Sequence, residues 1–243
     1  MLSFRIGEID AASEFVRRIH YSGTIQNPSA IVCVGTWHEP GGLFGDRGDC
    51  VAACVFSIST SKRREYVIEL TRLCRAHHIK EPLSSLLSQT CSFIKNKKLA
   101  DCLISFADVG QNHHGGIYQA SSWNYTGLRS VDMTEGIFKD GVYIPDRSCN
   151  DLFGTRSISK LQKRFPQSKF SVKISAGKHL YWRGLTVRGN TIARNLGYEK
   201  LAYPKPLAVS PLDERQPMPS EAGASPADRS MDCALKSQQH ADS

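Results

Sequence analysis

An apolar run that leads into a polar, histidine-containing loop constrains the fold of this chain more than any other feature. Residues 102–107 (Cys-Leu-Ile-Ser-Phe-Ala) predict a short buried strand. The loop that follows carries Asp108 and the pair His113 and His114, and a short helical segment with Tyr118 comes next. In open α/β sheets, ligands bind where strands end and helices begin. The sequence therefore predicts a functional site in this stretch.

Each of these residues also has a purely structural interpretation. Asp108 could cap a turn, His113 and His114 could be solvated loop residues, and Tyr118 could belong to the core. Their density within eleven positions favours a site, but the spacing alone does not identify a reaction.

The order of predicted elements is strand, helix, three strands, helix, strand, helix, strand. Antiparallel strands come first and an alternating half follows, so the expected class is α/β with a mixed, mostly antiparallel sheet flanked by helices. Residues 206–243 are rich in Pro, Ser, Ala and charged residues and poor in large apolar ones. We therefore expect one domain over residues 1–205, followed by a disordered tail.

The positive charge of the chain is concentrated in one region. The net charge is +8, yet residues 201–243 hold four basic and six acidic residues. Residues 156–194 hold ten Lys or Arg and no Asp or Glu, with aromatic residues interleaved. A solvated basic face is the simpler reading, but so long a stretch of one sign favours a nucleic-acid partner. The predicted DNA-binding residues are Lys160, Lys163 and Arg164 on a helix over 155–165, and Lys169 and Lys173 on the next strand.

The cysteines and the hydropathy pattern favour a soluble intracellular protein. The eight cysteines have no paired CxxC spacing, and most lie in apolar runs, so they are expected to be reduced core residues. No window is apolar enough to span a membrane, and the N-terminus lacks the apolar core of a signal peptide.

Several short motifs, taken together, carry a family resemblance over residues 3–205. They are His20-Tyr21-Ser22, Glu69-Leu-Thr-Arg-Leu73, Phe106-Ala-Asp108, Gly115-Gly-Ile-Tyr-Gln-Ala120, Tyr125-Thr-Gly127, Lys178-His179 and Tyr203-Pro-Lys205. With the element order, they resemble the GNAT acyltransferase fold and, more closely, the phage Mom family of DNA-modifying proteins. The resemblance implies conversion of adenine in DNA to N6-carbamoylmethyladenine, which protects a phage genome from restriction in the host cytoplasm.

The resemblance also implies roles for individual residues. Tyr118 would protonate a departing thiolate, Asp108 would orient or deprotonate the acceptor amine, and His20 and Tyr21 would approach the acceptor. The resemblance further implies that the donor is contacted by Arg72, Ser84 and Ser85. The fold's usual glycine-rich loop is absent between residues 74 and 81, a departure that bears on how a coenzyme A (CoA) donor would be held.

The cofactor and the reaction leave alternatives open. The expected donor is acetyl-CoA or a related acyl donor, although a carbamoylmethyl group is attached as an alkyl group and plain acetyl transfer does not produce it. The paired histidines with Asp108 could hold iron. The alternative function is N-acyl transfer to a small molecule or a protein. The expected partners are double-stranded DNA and the donor, with a homodimer as an open question and no membrane.

Overall fold

The described part of the chain forms one compact unit. The structure is a computed structural model that describes residues 2–20, 22–23, 25, 28–41, 48–59 and 66–205. These residues all belong to the unit Met1–Lys205. The predicted tail, 206–243, lies outside the described residues, as do parts of the stretches 37–48 and 59–64, whose glycine-rich and basic sequences predict loops.

Ten strands and six α-helices form within the described residues. The strands are β1 (Ser3–Ile6), β2 (Ile31–His38), β3 (Cys50–Ile58), β4 (Val67–Arg75), β5 (Cys102–Asp108), β6 (Asn124–Arg129), β7 (Thr134–Lys139), β8 (Val142–Pro145), β9 (Phe170–Ile174) and β10 (Lys178–Gly184). The helices are α1 (Ile9–Ile19), α2 (Leu83–Asn96), α3 (Gly116–Ala120), α4 (Asp146–Phe153), α5 (Ile158–Arg164) and α6 (Val187–Asn195).

A seven-stranded sheet organises the unit. Its order is β1-β2-β3-β4-β5-β10-β6. The β4–β5 pair is parallel, and the other strand pairs described in this sheet are antiparallel. Helices α1 and α2 pack against strands β2, β3 and β4, and α6 packs against β5 and β10. The predicted class, a mixed and mostly antiparallel sheet flanked by helices, is confirmed.

The apolar pattern of the sequence explains the core. Along β3, residues 51–57 are all buried, as expected for a central strand covered on both faces. Helix α2 buries Leu86, Leu87, Thr90, Cys91 and Ile94, the spacing of one helical face. This face and the buried side of α1 join the same core.

A second, three-stranded sheet lies in the connection between β6 and β10. Its order is β8-β7-β9, and helices α4 and α5 pack against it. The Asp140-Gly141 pair is typical of a hairpin turn, and strands β7 and β8 form this hairpin, with φ of 50° and 85° at the two residues. A small core of Ile137, Cys149 and Leu161 supports this sheet. We call residues 134–174 the inserted module.

Candidate functional site

The parallel strands β4 and β5 separate in the middle of the large sheet. They pair from Val67 with Cys102 to Leu70 with Ser105. Beyond this point β4 continues to Arg75 and β5 to Asp108 without further pairing between them. The separation leaves a gap in the sheet, with backbone groups and side chains of both strands around it.

A buried hydroxyl pair marks the point of separation. Ser105 Oγ lies 2.9 Å from the carbonyl oxygen of Leu70 and 2.8 Å from Oη of Tyr118. A serine hydroxyl has one hydrogen, and the carbonyl can only accept. The single hydrogen of Ser105 is thus within reach of both the Leu70 carbonyl and the Tyr118 oxygen, and Ser105 donates to them. The hydroxyl of Tyr118, on α3, therefore lies where β4 and β5 part.

Aromatic packing fixes the ring of Tyr118. Its centroid lies 5.4 Å from that of Trp123 and 4.9 Å from that of Tyr181, and Tyr181 lies 5.3 Å from Tyr125. The hydroxyl of Tyr181 donates to the carbonyl of His114 at 2.6 Å. Strand β10 and the loop after β5 therefore hold α3 in place from one side.

Gly115 allows this packing. Its φ is +80°, and a Cβ at this position would overlap the Tyr181 ring. We predict that Gly115→Ala lowers the free energy of unfolding by about 2 kcal/mol or more, because backbone strain and overlap both act. Gly197→Ala is the matched control, since Gly197 has φ of +71° and open space around it. Equal losses in chemical denaturation would contradict the role assigned to Tyr181.

A pocket of about 350 Å³ opens beside the separated strands. It is lined by Leu73 of β4, Phe106 and Ala107 of β5, Tyr118, Leu83 at the start of α2, Ile117, and the loop 112–116. The volume and the apolar lining suit a small ligand or the arm of a larger one. The N–H groups that begin a helix have no partners within it, so the start of α2 offers donors at this edge, together with the hydroxyls of Ser84 and Ser85. The N–H of Ser85 already donates to the Pro82 carbonyl at 2.9 Å.

A second group of residues comes together around His20. His20 caps the C-terminal end of α1, and its pKa is lowered to about 4 by burial, by the charge of Arg72 and by His113. The backbone N–H of Ser22 donates to His20 Nδ1 at 3.2 Å, so the ring hydrogen of the neutral form lies on Nε2. His20 is therefore a neutral imidazole at physiological pH. Tyr21 lies outside the described residues.

Arg72 belongs to the group around His20 and is not among the residues that line the pocket. Successive residues of a strand point to opposite faces of the sheet, and Leu73 is the β4 residue that lines the pocket. Arg72 donates to the carbonyl of Thr71 at 2.6 Å. The donor contact that the resemblance implied for Arg72 stays a prediction.

The lowered pKa of His20 predicts a pH dependence. As pH falls, His20 of the unfolded chain takes up a proton near its ordinary pKa of 6.5, whereas His20 of the folded chain takes one up only near pH 4. Stability is therefore lost as pH falls from 6.5 to 4. We predict that His20→Gln, which cannot protonate, shows a smaller fall in melting temperature across this window than the unsubstituted protein. Parallel curves would contradict the burial of a neutral His20.

Asp108 occupies the end of β5 with two partners. Its Oδ1 accepts from the N–H of Gly110 at 2.9 Å, and its Oδ2 lies 3.7 Å from Nζ of Lys178. Lys178 also lies 3.6 Å from Glu135, which is 3.3 Å from Lys173. The turn-capping role considered from the sequence is thus present. The carboxylate is also linked by this chain of charges to the inserted module.

The predicted iron ligands do not converge. In addition to burial, the charge of His113 lowers the pKa of His20, and the charge of His114 lowers the pKa of His179. The paired histidines therefore lie near different neighbours. In the part of the chain that the structure describes, no group of three or more His, Cys, Asp or Glu could hold a metal ion. These residues do not fit iron.

The predicted DNA-binding residues lie on the inserted module. Lys160, Lys163 and Arg164 are exposed on α5, which is shorter than the predicted helix over 155–165. Lys169 is exposed but precedes β9, which begins at Phe170. Lys173 differs from the other four, since its Nζ pairs with Glu135 and lies 4.4 Å from the centroid of the Tyr143 ring.

Some residues of the site were not predicted from the sequence. Ser105 is the one hydroxyl in the apolar run 102–107, which was the available signal. Tyr181 and Lys178 lie on β10, more than sixty positions from their partners His114 and Asp108, and no local pattern connects them.

Fold and site together define a mixed α/β protein with a ligand pocket where two parallel strands separate. The family model of the Mom protein family matches residues 2–205, and the chain belongs to this family. It is the family of phage DNA-modifying proteins that the sequence motifs resembled. A comparison with curated proteins found no match. None of the helices within the described ranges is long and apolar enough to cross a membrane.

Solved acetyltransferases have similar chain paths. The ribosomal-protein-S18-alanine N-acetyltransferase from Escherichia coli is 8% identical, with a TM-score of 0.46, over 77% of this chain and 96% of that chain. A Bacillus subtilis acetyltransferase in complex with CoA is 12% identical, with a TM-score of 0.46, over 76% of this chain and 100% of that chain. Both similarities are too distant to carry an argument about activity.

Proposed function

We propose that this protein is a transferase that converts adenine in phage DNA to N6-carbamoylmethyladenine and so protects the phage genome from restriction in the host cytoplasm. The observation that carries the proposal is the pocket beside the separated strands β4 and β5, with the Tyr118 hydroxyl buried where they part. Membership of the Mom family supports DNA as the acceptor.

The pocket fits the arm of an acyl-CoA-type donor. Leu73, Leu83 and Phe106 would contact its apolar part, and the first turn of α2, with Ser84 and Ser85, would meet its phosphates. A thioester that passed its acyl group to adenine would give an amide. To give a carbamoylmethyl group, a bound donor would have to carry that group on its sulfur, so that attack of the adenine amine on the methylene carbon forms the carbon–nitrogen bond, breaks the carbon–sulfur bond and releases a thiolate. The glycine-free segment 74–81 makes the phosphate contacts fewer than a glycine-rich loop would offer.

Tyr118 is the proposed proton donor. Its hydroxyl is buried, oriented by Ser105 and held by two neighbouring aromatic rings. A departing thiolate needs a proton, and a positioned phenol can deliver it. In GNAT enzymes, which the motifs resemble, a tyrosine on the corresponding helix has this role.

The acceptor side is proposed to comprise Asp108, His20 and Tyr21. The amine of adenine is a poor nucleophile because its lone pair is delocalised into the ring, so a base or an oriented acceptor is required. Asp108, held between Gly110 and Lys178, is the carboxylate proposed for this task. His20 would act as a neutral group, since its pKa of about 4 makes it a weak base.

Restriction of cellular DNA tests the protective function. Plasmid DNA from cells that express the protein should resist endonucleases with adenine in their recognition sites, and it should be cut normally at sites without adenine. Expression of Tyr118→Phe is the control and should leave both classes of site sensitive. Equal cutting of all sites in DNA from cells with the unsubstituted protein would contradict the proposal and would favour N-acyl transfer to a small molecule or a protein.

A further inference from the structure

The connection between β6 and β7 carries apolar side chains in solvent. Val131 is 46% exposed and Met133 is 60% exposed. The backbone is nevertheless held firmly, because Asp132 N–H donates to the Ser175 carbonyl at 3.2 Å and Ser175 N–H donates to the Met133 carbonyl at 2.8 Å. Two apolar side chains are thus presented on a fixed backbone without a partner to cover them fully.

This connection lies beside the Asp108 end of β5. Across three adjacent strands, Lys178 of β10 is paired with Asp108 on one side and with Arg129 on the other. Neighbouring strands are about 4.8 Å apart, which places the backbones of Asp108 and Arg129 roughly 10 Å apart. The connection begins at the residue after Arg129, so Val131 and Met133 follow directly.

Gly177 joins the connection to the loop after β5. Its carbonyl accepts from Val109 N–H at 3.2 Å. Its φ is +95°, and a Cβ at this position would lie 2.9 Å from side-chain carbons of Leu128 and Val131. Val131 therefore packs on a residue that is itself hydrogen-bonded to the residue after Asp108.

The surroundings of the connection hold more basic than acidic residues, although Asp132 is exposed between Val131 and Met133. Arg129 is exposed, and the inserted module, residues 134–174, holds eight basic and four acidic residues. An apolar tip within a basic surface complements a partner that is anionic outside and apolar inside. A DNA duplex has this character, with phosphates outside and stacked bases inside, and the position next to Asp108 favours it over an anionic membrane surface.

We propose that Val131 and Met133 form a wedge that enters the base stack of a DNA duplex at the step from which the target adenine is removed. The inference rests on the proposed function, because it takes adenine as the target. The amine of a paired adenine lies at the edge of the base pair in the major groove and is hydrogen-bonded to thymine, and enzymes that do chemistry on such a base take it out of the stack, which here would bring it to Asp108. Apolar side chains that enter a base step unstack it, and such a wedge would keep the vacated step open.

Permanganate reactivity of thymine tests the wedge. Permanganate oxidises thymines that have lost stacking, and a long duplex of mixed sequence offers every context for the target. The unsubstituted protein should make thymines opposite displaced adenines reactive. The double variant Val131→Ser/Met133→Ser should bind the same duplex within about threefold, because its phosphate contacts remain, and should reduce the reactivity at least about tenfold.

Val187→Ser is the matched control. Val187 is 84% exposed at the start of α6, whose preceding Thr186 bonds to Asp101 at the opposite end of β5 from Asp108. This variant should keep full reactivity, and Met133→Leu should retain most of it. Melting temperatures of the variants should differ by no more than a few degrees, since Met133 and Val187 are exposed and Val131 is only half-buried.

The outcomes separate the wedge from the proposed function. Undiminished thymine reactivity with the double variant, or none with the unsubstituted protein, would overturn the wedge. Binding to vesicles of anionic phospholipid that depends on Val131 and Met133, without such reactivity on DNA, would also overturn it. Thymine reactivity is measured without the donor. If this reactivity depends on Val131 and Met133 while no modified adenine is found in single-stranded or duplex DNA, the wedge is supported and the proposed reaction is refuted.

Discussion

Tyr118→Phe is expected to reduce adenine modification by about 100-fold or more while the protein stays folded. The substitution removes one hydroxyl and leaves the ring between Trp123 and Tyr181. General acid catalysis typically contributes about 10²–10⁴ in rate, which sets the size of the effect. The measurement is the modified fraction of adenine in cellular DNA. Tyr66→Phe, on a half-exposed ring at the start of β4, is the control and should be fully active.

Two substitutions at Asp108 separate its structural and chemical roles. Asp108→Ala should abolish modification, but it also removes the acceptor of the Gly110 N–H. Asp108→Asn keeps an oxygen that can accept this hydrogen bond and removes the charge beside Lys178. We expect both variants to be inactive and the Asn variant to keep its melting temperature. An active, stable Asn variant would show that Asp108 only caps the turn.

Reversal of charge on α5 is the second prediction with a large effect. Lys160→Glu, Lys163→Glu and Arg164→Glu in combination should weaken duplex binding by about 100-fold or more at moderate salt, because each neutralised phosphate releases counterions. The slope of log K against log salt should shrink by about one unit for each lost contact. An unchanged affinity and slope would place the DNA-binding surface elsewhere.

A second lysine cluster supplies the control for charge reversal. Lys95, Lys97 and Lys98 are exposed at the end of α2, and replacing all three by Glu changes the net charge by the same amount. If this variant loses as much affinity, total charge and not α5 governs binding. Arg164 also donates to the Phe153 carbonyl at 3.3 Å, so the double variant Lys160→Glu/Lys163→Glu checks that the loss is not a folding defect.

Local patterns in the sequence predicted the large sheet and two main helices well. The apolar runs at β3 and β5 and the three- and four-residue spacing of α2 are short-range signals, and the structure confirms them. Helix α1 ends at Ile19, shortly before Gly23, a residue whose type predicts a helix stop. Asp10 is of a type that predicts an N-cap, but it lies in the first turn of α1, where its charge still suits the helix dipole.

Long-range pairing could not be derived from the sequence. The order β5-β10-β6 inserts a late strand between two earlier ones, and only this places Tyr181 against Tyr118 and Lys178 against Asp108. Helices α4 and α6 were not predicted, because each has few large apolar residues. The inserted module has its own small core, which a linear pattern does not distinguish from the main one.

Nucleoside mass spectrometry of cellular DNA tests the central proposal most directly. DNA from cells that express the protein is digested to nucleosides and compared with DNA from cells that express Asp108→Asn. We expect a deoxyadenosine with the mass increment of a carbamoylmethyl group in place of one hydrogen, present with the unsubstituted protein and absent with the variant. Unmodified deoxyadenosine in both samples, with the protein folded and abundant, would contradict the proposal that adenine in DNA is its substrate.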